Sequence, residues 1–285
     1  MKNGHYAIGE ISKLCCVPIS KLRYYDEIGV IKPCFVDEET GYRYYDNETL
    51  LLISILKYYK SCGFKLKEIV TLLQRMDLDH LEPMFDRRIA ELEQQIIDLQ
   101  IQRDSIAAWR ELIHEEKAVM AQEECAISNR WYAPTAMYVS TPYAWEGMPY
   151  ETLIANVEMC NHISNSSDCT IGALSLYFPT GNRRCFTNAK IYIRPHPLAT
   201  STTTRETVGG FAALACYHKG SFETGEETYK KIYQHAAAHN ITLRGDSFER
   251  SVIDWWSTKK EEEFLLEIIL PTTETTPGQF EQHSF

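Results

Sequence analysis

Apolar side chains recur every seven residues through a long, otherwise polar segment between residues 81 and about 122. The seam positions are Phe85, Leu92, Leu99, Ile106 and Ile113, with Ile89 and Ile96 in the intervening positions. Five consecutive heptads predict a long helix in a coiled coil, which favours a homodimer. Arg103 and Arg110 interrupt the second seam position, so their charged heads must reach water or an acidic partner. The alternative, one helix lying on its own domain, would need a broader apolar stripe.

Two short helices joined by a turn are predicted near the N-terminus. Ile8, Ile11 and Leu14 fall on one helical face, and Pro18 opens a second helix. Cys15-Cys16-Val17 would make the tight turn between them. Two short helices separated by about three residues form the helix-turn-helix pattern.

The second helix is expected to present polar and aromatic side chains to DNA. Ile19, Leu22 and Ile28 would face inward. The side chains left to meet a groove and its flanking phosphates are Ser20, Lys21, Arg23, Tyr24 and Tyr25. The cations suit phosphates, and the aromatic rings suit base edges or sugars.

A hairpin follows, which we interpret as a wing. Residues 31–45 hold a polar turn at 37–41 and the strand-like run Tyr42-Arg43-Tyr44-Tyr45. Asp46 would then cap a helix that runs to about Ser61. This region adds the candidate DNA contacts Tyr42, Arg43 and Lys60.

Residues 5 to 75 together resemble the MerR family of transcription regulators. The resemblance rests on Ile8-Gly9-Glu10, Leu22-Arg23-Tyr24-Tyr25-Asp26, Gly29, Pro33 and Gly41-Tyr42-Arg43-Tyr44. A lone Arg-Tyr-Tyr would be ordinary helix surface, whereas a match in several parts over seventy residues is specific. The resemblance implies double-stranded promoter DNA and RNA polymerase as partners. It also implies an antiparallel long helix that joins two DNA-binding heads.

Composition and charge fit a DNA-binding protein of more than one domain. The 285 residues suggest roughly two domains. Residues 1–75 hold 11 Lys or Arg against 9 Asp or Glu, whereas the rest holds 18 against 30, so the acidic excess lies outside the DNA-binding region. No run of about 20 apolar residues and no signal-peptide core occur, so we expect a cytoplasmic protein without membrane contact. The nine cysteines are expected to stay reduced.

The C-terminal half is predicted to hold a duplicated strand-helix-strand-strand unit. The expected elements are strand 132–140, helix 150–163, strands 169–178 and 187–194, strand 210–217, helix 224–239, and strands 246–256 and 263–270. This βαββ duplication resembles the GyrI-like effector-binding domain, and the whole chain resembles the BmrR-like multidrug-binding type of MerR regulator. The expected fold is α+β: a winged helix-turn-helix at 1–75, a coiled-coil dimerisation helix at 76–122, and a GyrI-like domain at 123–285.

An effector pocket is expected in this C-terminal domain. The candidate lining residues are Tyr150, Ile171, Tyr177, Tyr217, Glu249, Ser251, Trp255 and Phe264, with Glu262 and Glu267 as further acids. Aromatic rings suit flat ligands, and an unpaired carboxylate in an apolar cleft awaits a cation. The resemblance implies that Glu249 is the central acid and that Tyr150 and Phe264 are ring positions. The expected ligand is a small lipophilic aromatic cation, although these aromatic residues could instead be core, and Glu249 a solvated sheet residue.

Two other functions are weighed. Some GyrI-like domains resemble hydrolases, so Glu249 with Tyr150 or Tyr177 could act as an acid and base pair. A thiol or metal sensor would use Cys125, which has no spaced ligand partner nearby in sequence. No nucleophile elbow, paired metal ligands or phosphate loop is present, so no catalytic residue, metal or cofactor is predicted. His218 is interpreted as a turn residue.

Overall fold

The computed structural model describes residues 4–74, 77–140, 170–184, 188–198, 204–274 and 281–283. The chain divides into two compact units, Met1–Gln95 and Ile96–Phe285. The division falls inside one long helix, so each unit holds part of it. Within the described residues, no helix combines the length and apolarity that crossing a lipid bilayer requires. The described cysteines are all free thiols.

The N-terminal unit begins with the predicted helix-turn-helix. Helix α1 spans Ile8–Cys15 and helix α2 spans Ile19–Glu27. The turn between them is made by Cys16, whose φ of 51° is left-handed and whose N–H donates to the Ser12 carbonyl. This local reversal satisfies an orphan carbonyl at the end of α1. The helix-turn-helix prediction is confirmed.

The wing is a small antiparallel sheet. Strands β1 (Tyr6–Ala7), β2 (Phe35–Val36) and β3 (Arg43–Tyr45) are ordered β1-β3-β2. Asp37 accepts hydrogen bonds from the backbone N–H groups of Glu39 and Thr40, which fixes the turn.

Two further helices complete the N-terminal unit. Asp46 accepts from the Thr49 N–H at 2.9 Å and caps helix α3, Asn47–Ser61, as expected. Helix α4, Leu66–Gln74, was not predicted from the sequence. Its core-facing residues Ile69 and Leu72 join the same core as Ile11 and Leu22.

Helix α5 spans Leu78–Met120, close to the predicted 81–122. The first six predicted core residues are solvent-exposed: Phe85, Ile89, Leu92, Ile96, Leu99 and Ile106. Farther along, Leu112 and Val119 pack against the C-terminal sheet, and Ile113 lies beside them. The alternative prediction was a helix that lies on its own domain. It holds for the last turns of α5, which pack on the sheet through a second apolar face.

A nine-stranded sheet forms the C-terminal unit. Its strands are β4 (Ser128–Tyr132), β5 (Thr135–Ser140), β6 (Thr170–Phe178), β7 (Lys190–Pro195), β8 (Arg205–Val208), β9 (Phe211–Lys219), β10 (Ser247–Ile253), β11 (Leu265–Pro271) and β12 (Glu281–His283). A 3-10 turn at Phe222–Gly225 leads into helix α6, Glu226–Ala238. The strand order is β12-β4-β9-β11-β10-β6-β7-β5-β8.

The strand order shows the duplication. Reading outward from the central pair β6 and β10, one half runs β6-β7-β5 and the other runs β10-β11-β9. In each half the first strand along the chain pairs with the third, so the two halves are related by an approximate two-fold arrangement. The helix predicted at 150–163 lies outside the described residues.

Two short links each connect a strand that pairs in one half to a strand that belongs to the other half. β4 pairs with β9 of the second half, and β5 follows it after residues 133–134. β8 pairs with β5 of the first half, and β9 follows it after Gly209 and Gly210. Since each link connects opposite ends of one sheet, the sheet must curl until its edges approach. Gly210 N–H donates to the Tyr132 carbonyl at 2.7 Å where the links meet.

Two predicted strands differ from the structure. The strand expected at 132–140 is divided into β4 and β5 by the Ala133-Pro134 link. The strand expected at 246–256 ends at Ile253, after a register shift between Ser251 and Ile253. Trp255 and Trp256 therefore lie beyond the strand, and the predicted alternation of faces does not extend to them.

Candidate DNA-binding surface and effector site

Helix α2 presents the predicted cations to solvent. Ser20, Lys21, Arg23 and Tyr24 are exposed, and Leu22 is fully buried beneath them. A helix with its apolar face docked and its cations outward can enter a groove without repacking.

Three of the predictions for α2 and the residue that ends it need correction. Tyr25 is only 2% exposed and packs in the core, so its ring supports the helix and is not available to a groove. Ile19 and Ile28, expected to face inward, are each 39% exposed. The inward face is instead formed by Leu22 and Tyr25, three positions apart and hence on one side of a helix.

The wing and α2 are linked by an ion pair. Arg43 Nε donates to Asp26 Oδ2 at 3.0 Å, and about half of the Arg43 side chain stays exposed. Exposed pairs of this kind contribute up to about 1 kcal/mol, so a phosphate can compete for the guanidinium. Tyr42 on the wing is exposed, as is Lys60 near the end of α3.

A buried carboxylate lies on the face of the C-terminal sheet that α6 covers. Glu249, on the central strand β10, is fully buried. Arg183 Nε donates to its Oε1 at 2.8 Å, and Arg183 Nη2 lies 3.4 Å from its Oε2. The sequence had suggested that Glu249 is either unpaired in a cleft or solvated on the sheet. The structure shows that it is neither. Two-point contact between a guanidinium and a carboxylate is among the strongest ionic hydrogen-bonding arrangements in proteins.

Other predicted site residues lie on the same side of the sheet. Ser251 points to the Glu249 face by the two-residue period of β10, and its buried hydroxyl has no hydrogen-bond partner in the part of the chain that the structure describes. Phe264 is buried just before β11, stacks on Phe222 at 5.0 Å between ring centroids, and meets Trp255 edge-on at the same distance. The structure thus brings Glu249, Ser251, Phe264 and Trp255 to one side.

His218 also lies on this side and is not a turn residue. It is buried within β9, and its ring nitrogens lie 2.9 Å from Thr228 Oγ1 and 3.0 Å from Thr224 Oγ1. Burial, assisted by the charge of Arg183, lowers the pKa of His218. The ring is therefore a neutral hydrogen-bonding support for the start of α6.

Tyr177, Tyr217 and Glu267 occupy the opposite face. Tyr177 pairs across the strands with Phe248, whereas Glu249 pairs with Leu176, so Tyr177 and Glu249 point in opposite directions. The acid and base pair that a hydrolase would need from these two residues is not assembled.

Glu267 is the centre of a buried ionic network on that face. Its carboxylate binds Arg130 and Arg250 and accepts a hydrogen bond from the Tyr132 hydroxyl at 3.0 Å. Arg250 also binds Glu115 of α5. Burial acts to raise the pKa of Glu267, but the two guanidinium groups outweigh it and hold the pKa below its usual range.

This network fastens α5 to the sheet. Tyr217 donates from its hydroxyl to Glu115 Oε1 at 2.6 Å, in addition to the Arg250 contact. Burial and the charge of Glu267 raise the pKa of the Tyr217 hydroxyl, so it stays a neutral donor. Glu267 and Tyr217 are thus structural links in this structure, with their polar atoms already engaged.

The remaining predicted pocket residues are dispersed. Glu262 is exposed in the 3-10 turn Glu261–Glu263, and Ile171 is partly buried before the irregularity in β6. Tyr150 lies outside the described residues.

The thiol and metal alternative is not favoured by the described residues. They contain no group of three or more His, Cys, Asp or Glu side chains placed to hold a metal ion. Burial raises the pKa of the Cys125 thiol, which disfavours the thiolate that metals and oxidants require.

Sequence reasoning missed Arg183, Arg130 and Arg250. Arg183 reaches Glu249 across 66 positions, and Arg130 reaches Glu267 across 137. No local spacing signals such pairs. An indirect sign was available, since a carboxylate on an otherwise apolar strand needs a partner.

Comparison with known proteins identifies the N-terminal unit. Residues 6–76 match the family described as MerR HTH family regulatory protein, and residues 52–109 match the family described as MerR, DNA binding. The mercuric resistance operon regulatory protein of Bacillus cereus is 31% identical over 127 residues, 43% of this chain and 93% of that protein. The chain belongs to the MerR HTH family of regulatory proteins.

Similarity to a known regulator extends over most of the chain. The multidrug-efflux transporter 1 regulator of Bacillus subtilis (strain 168) is 25% identical over 281 residues, 94% of this chain and 98% of that protein. The cryo-EM structure of the EcmrR–DNA complex in EcmrR-RPo is 20% identical, covers 94% of this chain and 99% of that chain, and has a TM-score of 0.44. This MerR protein is a DNA-binding transcription regulator whose whole-chain relatives include a multidrug regulator.

Proposed function

We propose that this MerR regulator is a cytoplasmic homodimer that activates transcription when it binds a lipophilic aromatic cation. The observation that carries the effector half is the buried Glu249 carboxylate beside the unsatisfied Ser251 hydroxyl, on a side lined by Phe264 and Trp255. The Bacillus subtilis relative, a regulator of a multidrug-efflux transporter, supports the same class of response.

The dimer rests on residues 85–106 of α5. Six exposed apolar residues in this range form a seam at heptad spacing, from Phe85 to Ile106. A second copy of the chain would bury this seam, because two such helices pack side chains of one into spaces of the other. Two copies would also carry two α2 helices, doubling the cations offered to DNA.

The cation acts by selecting between two DNA conformations. In the proposed mechanism the dimer holds a promoter whose recognition elements are too far apart, and the bound cation favours a distorted DNA that RNA polymerase can engage. The cation must bind the protein conformation that distorts DNA more tightly than the resting conformation. Equal affinity for both would leave their populations unchanged.

The DNA surface is tested by removing single cations. In a dimer, Arg23→Ala or Arg43→Ala removes two phosphate contacts, so operator affinity should fall about tenfold and the slope of log K against log salt should flatten by about 1.8. Affinity is measured by fluorescence anisotropy on an operator selected from random DNA, between about 50 and 200 mM salt.

The control is Arg184→Ala, which removes an exposed arginine from the C-terminal unit. It should leave the affinity and the salt slope unchanged. If Arg23→Ala and Arg43→Ala also left both unchanged, the assignment of α2 and the wing to DNA would be wrong.

A further inference from the structure

The Glu249 carboxylate already carries a cationic partner within the chain. Arg183 is 7% exposed and makes a two-point contact with it, through Nε at 2.8 Å and Nη2 at 3.4 Å. Arg183 engages both carboxylate oxygens of Glu249, so a small cation that takes the same hydrogen bonds must displace it.

Arg183 is held in a place that is unfavourable for a cation. Its guanidinium carbon would lie 3.0 Å from a side-chain carbon placed at Gly225, so it packs directly over that glycine. Gly225 is the N-cap of α6, and the N-terminus of a helix carries partial positive charge. The attraction of Glu249 thus works against repulsion by the helix, which lowers the cost of releasing Arg183.

The chain offers a route for that release. Arg183 lies in the segment after β6, next to the exposed Arg184, whose guanidinium pairs with Glu226 in the first turn of α6. A displaced Arg183 side chain needs only to turn towards solvent beside this acidic residue, where water can hydrate it.

A second polar group lies near Glu249 on the same face of the sheet. Ser251 lies two residues along β10 on the same face, roughly 7 Å away by strand geometry. Its buried hydroxyl has no hydrogen-bond partner among the described residues, and an unsatisfied buried hydroxyl is unfavourable. A ligand that spans both residues would also satisfy this hydroxyl.

We propose that Arg183 is an internal occupant of the effector site, and that the effector is an aryl cation with N–H donors that exchanges with the Arg183 guanidinium at Glu249. The proposal rests on the effector half of the proposed function. An N–H donor is required because Glu249 would otherwise lose both hydrogen bonds that Arg183 now donates. Amidinium and guanidinium groups reproduce those bonds, whereas quaternary ammonium groups cannot.

The test is calorimetric titration of the full chain with four matched probes: benzamidinium, phenyltrimethylammonium, neutral benzamide and anionic benzoate. Arg183→Met removes the competitor and keeps a similar apolar stem. Benzamidinium should therefore bind this variant at least tenfold more tightly than wild type. Arg183→Lys, which keeps a competing cation, should stay close to wild type. Arg183→Met combined with Glu249→Gln should lose the gain.

Three results would overturn the exchange. Benzamidinium could bind Arg183→Met no more tightly than wild type. Benzoate could bind wild type and be lost in Arg183→Met, which would make Arg183 a receptor for anions. Phenyltrimethylammonium could bind as well as benzamidinium, which would remove the need for N–H donors. If Arg183→Met proves unfolded by its tryptophan emission, the preference of wild type for benzamidinium over phenyltrimethylammonium decides the matter alone.

Operator affinity, measured on the same variants without probe, separates the two levels of the account. If wild type binds no operator, the proposed function fails. If every variant binds operator but Arg183→Met gains no affinity for benzamidinium, only the exchange fails.

Discussion

Glu267→Gln should lower the free energy of unfolding of the C-terminal unit by about 3 to 5 kcal/mol, because removing one member of a buried ionic network leaves its partners uncompensated. Arg130 and Arg250 both bind this carboxylate, and both are largely buried. Glutamine keeps the shape and one acceptor oxygen but no charge. The loss should appear in urea or guanidinium unfolding curves followed by tryptophan emission, since all five tryptophans lie in residues 96–285.

The matched control is Glu262→Gln, which makes the same chemical change on an exposed acid. It should alter stability by no more than about 0.5 kcal/mol. A loss below about 1 kcal/mol for Glu267→Gln would mean that the network does not fasten α5 to the sheet.

The lowered pKa of Glu267 adds a dependence on pH. The folded chain binds a proton at this carboxyl less readily than the unfolded chain does, so Glu267 contributes stability above the unfolded pKa of about 4.3. That contribution is lost as the pH falls towards the folded pKa. Wild type should therefore lose stability on acidification from about pH 5 to about pH 3 more steeply than Glu267→Gln does.

Gly209→Ala should destabilise the C-terminal unit by about 3 kcal/mol or more. A side-chain carbon at Gly209 would lie 2.3 Å from the Ala133 carbonyl oxygen and 2.8 Å from its carbon, and both are backbone atoms that cannot rotate away. Gly209 also has a φ of +106°, which disfavours any side chain. The clash falls where the link at residues 133–134 meets the link at residues 209–210. Removing the clash therefore requires that the two edges of the sheet move apart.

Gly210→Ala separates the effect of the steric clash from the effect of the positive φ. Gly210 also has positive φ, at +75°, but a side-chain carbon there meets Pro134 Cγ at an ordinary 3.5 Å. The expected loss is only the conformational cost of about 1 to 2 kcal/mol. Equal losses for the two variants, read from the same unfolding curves, would contradict the close crossing of the links.

The elements that the sequence predicts well are those whose cause is local. Asp46 caps α3 because its carboxylate and the Thr49 N–H are three residues apart, a relation visible in the chain. The seam of α5 is visible for the same reason. Tyr25 was harder to assign, because a ring next to an exposed tyrosine can point to the core or to solvent until the helix is docked on α1.

The proposed effector site could be predicted only in part, because its contacts are long-range. Glu249 and Ser251 share a face through the local period of β10, as expected, but the register shift after Ser251 removes Trp255 from that alternation. Glu267 and Tyr217 belong to the opposite face, where their partners come from α5 and β4. Whether a buried carboxylate belongs to the proposed site or to the structural network therefore depends on which arginine it pairs with.

The measurement that tests the central claim is the end-to-end distance of an operator duplex carrying a fluorescent donor and acceptor, bound by full-length protein with and without benzamidinium. Wild type should bind the operator in both conditions, and saturating benzamidinium should change the transfer efficiency. Glu249→Gln should bind the same operator and show no change. An operator that wild type does not bind, or an equal change with Glu249→Gln, would contradict a DNA-distorting regulator controlled through Glu249.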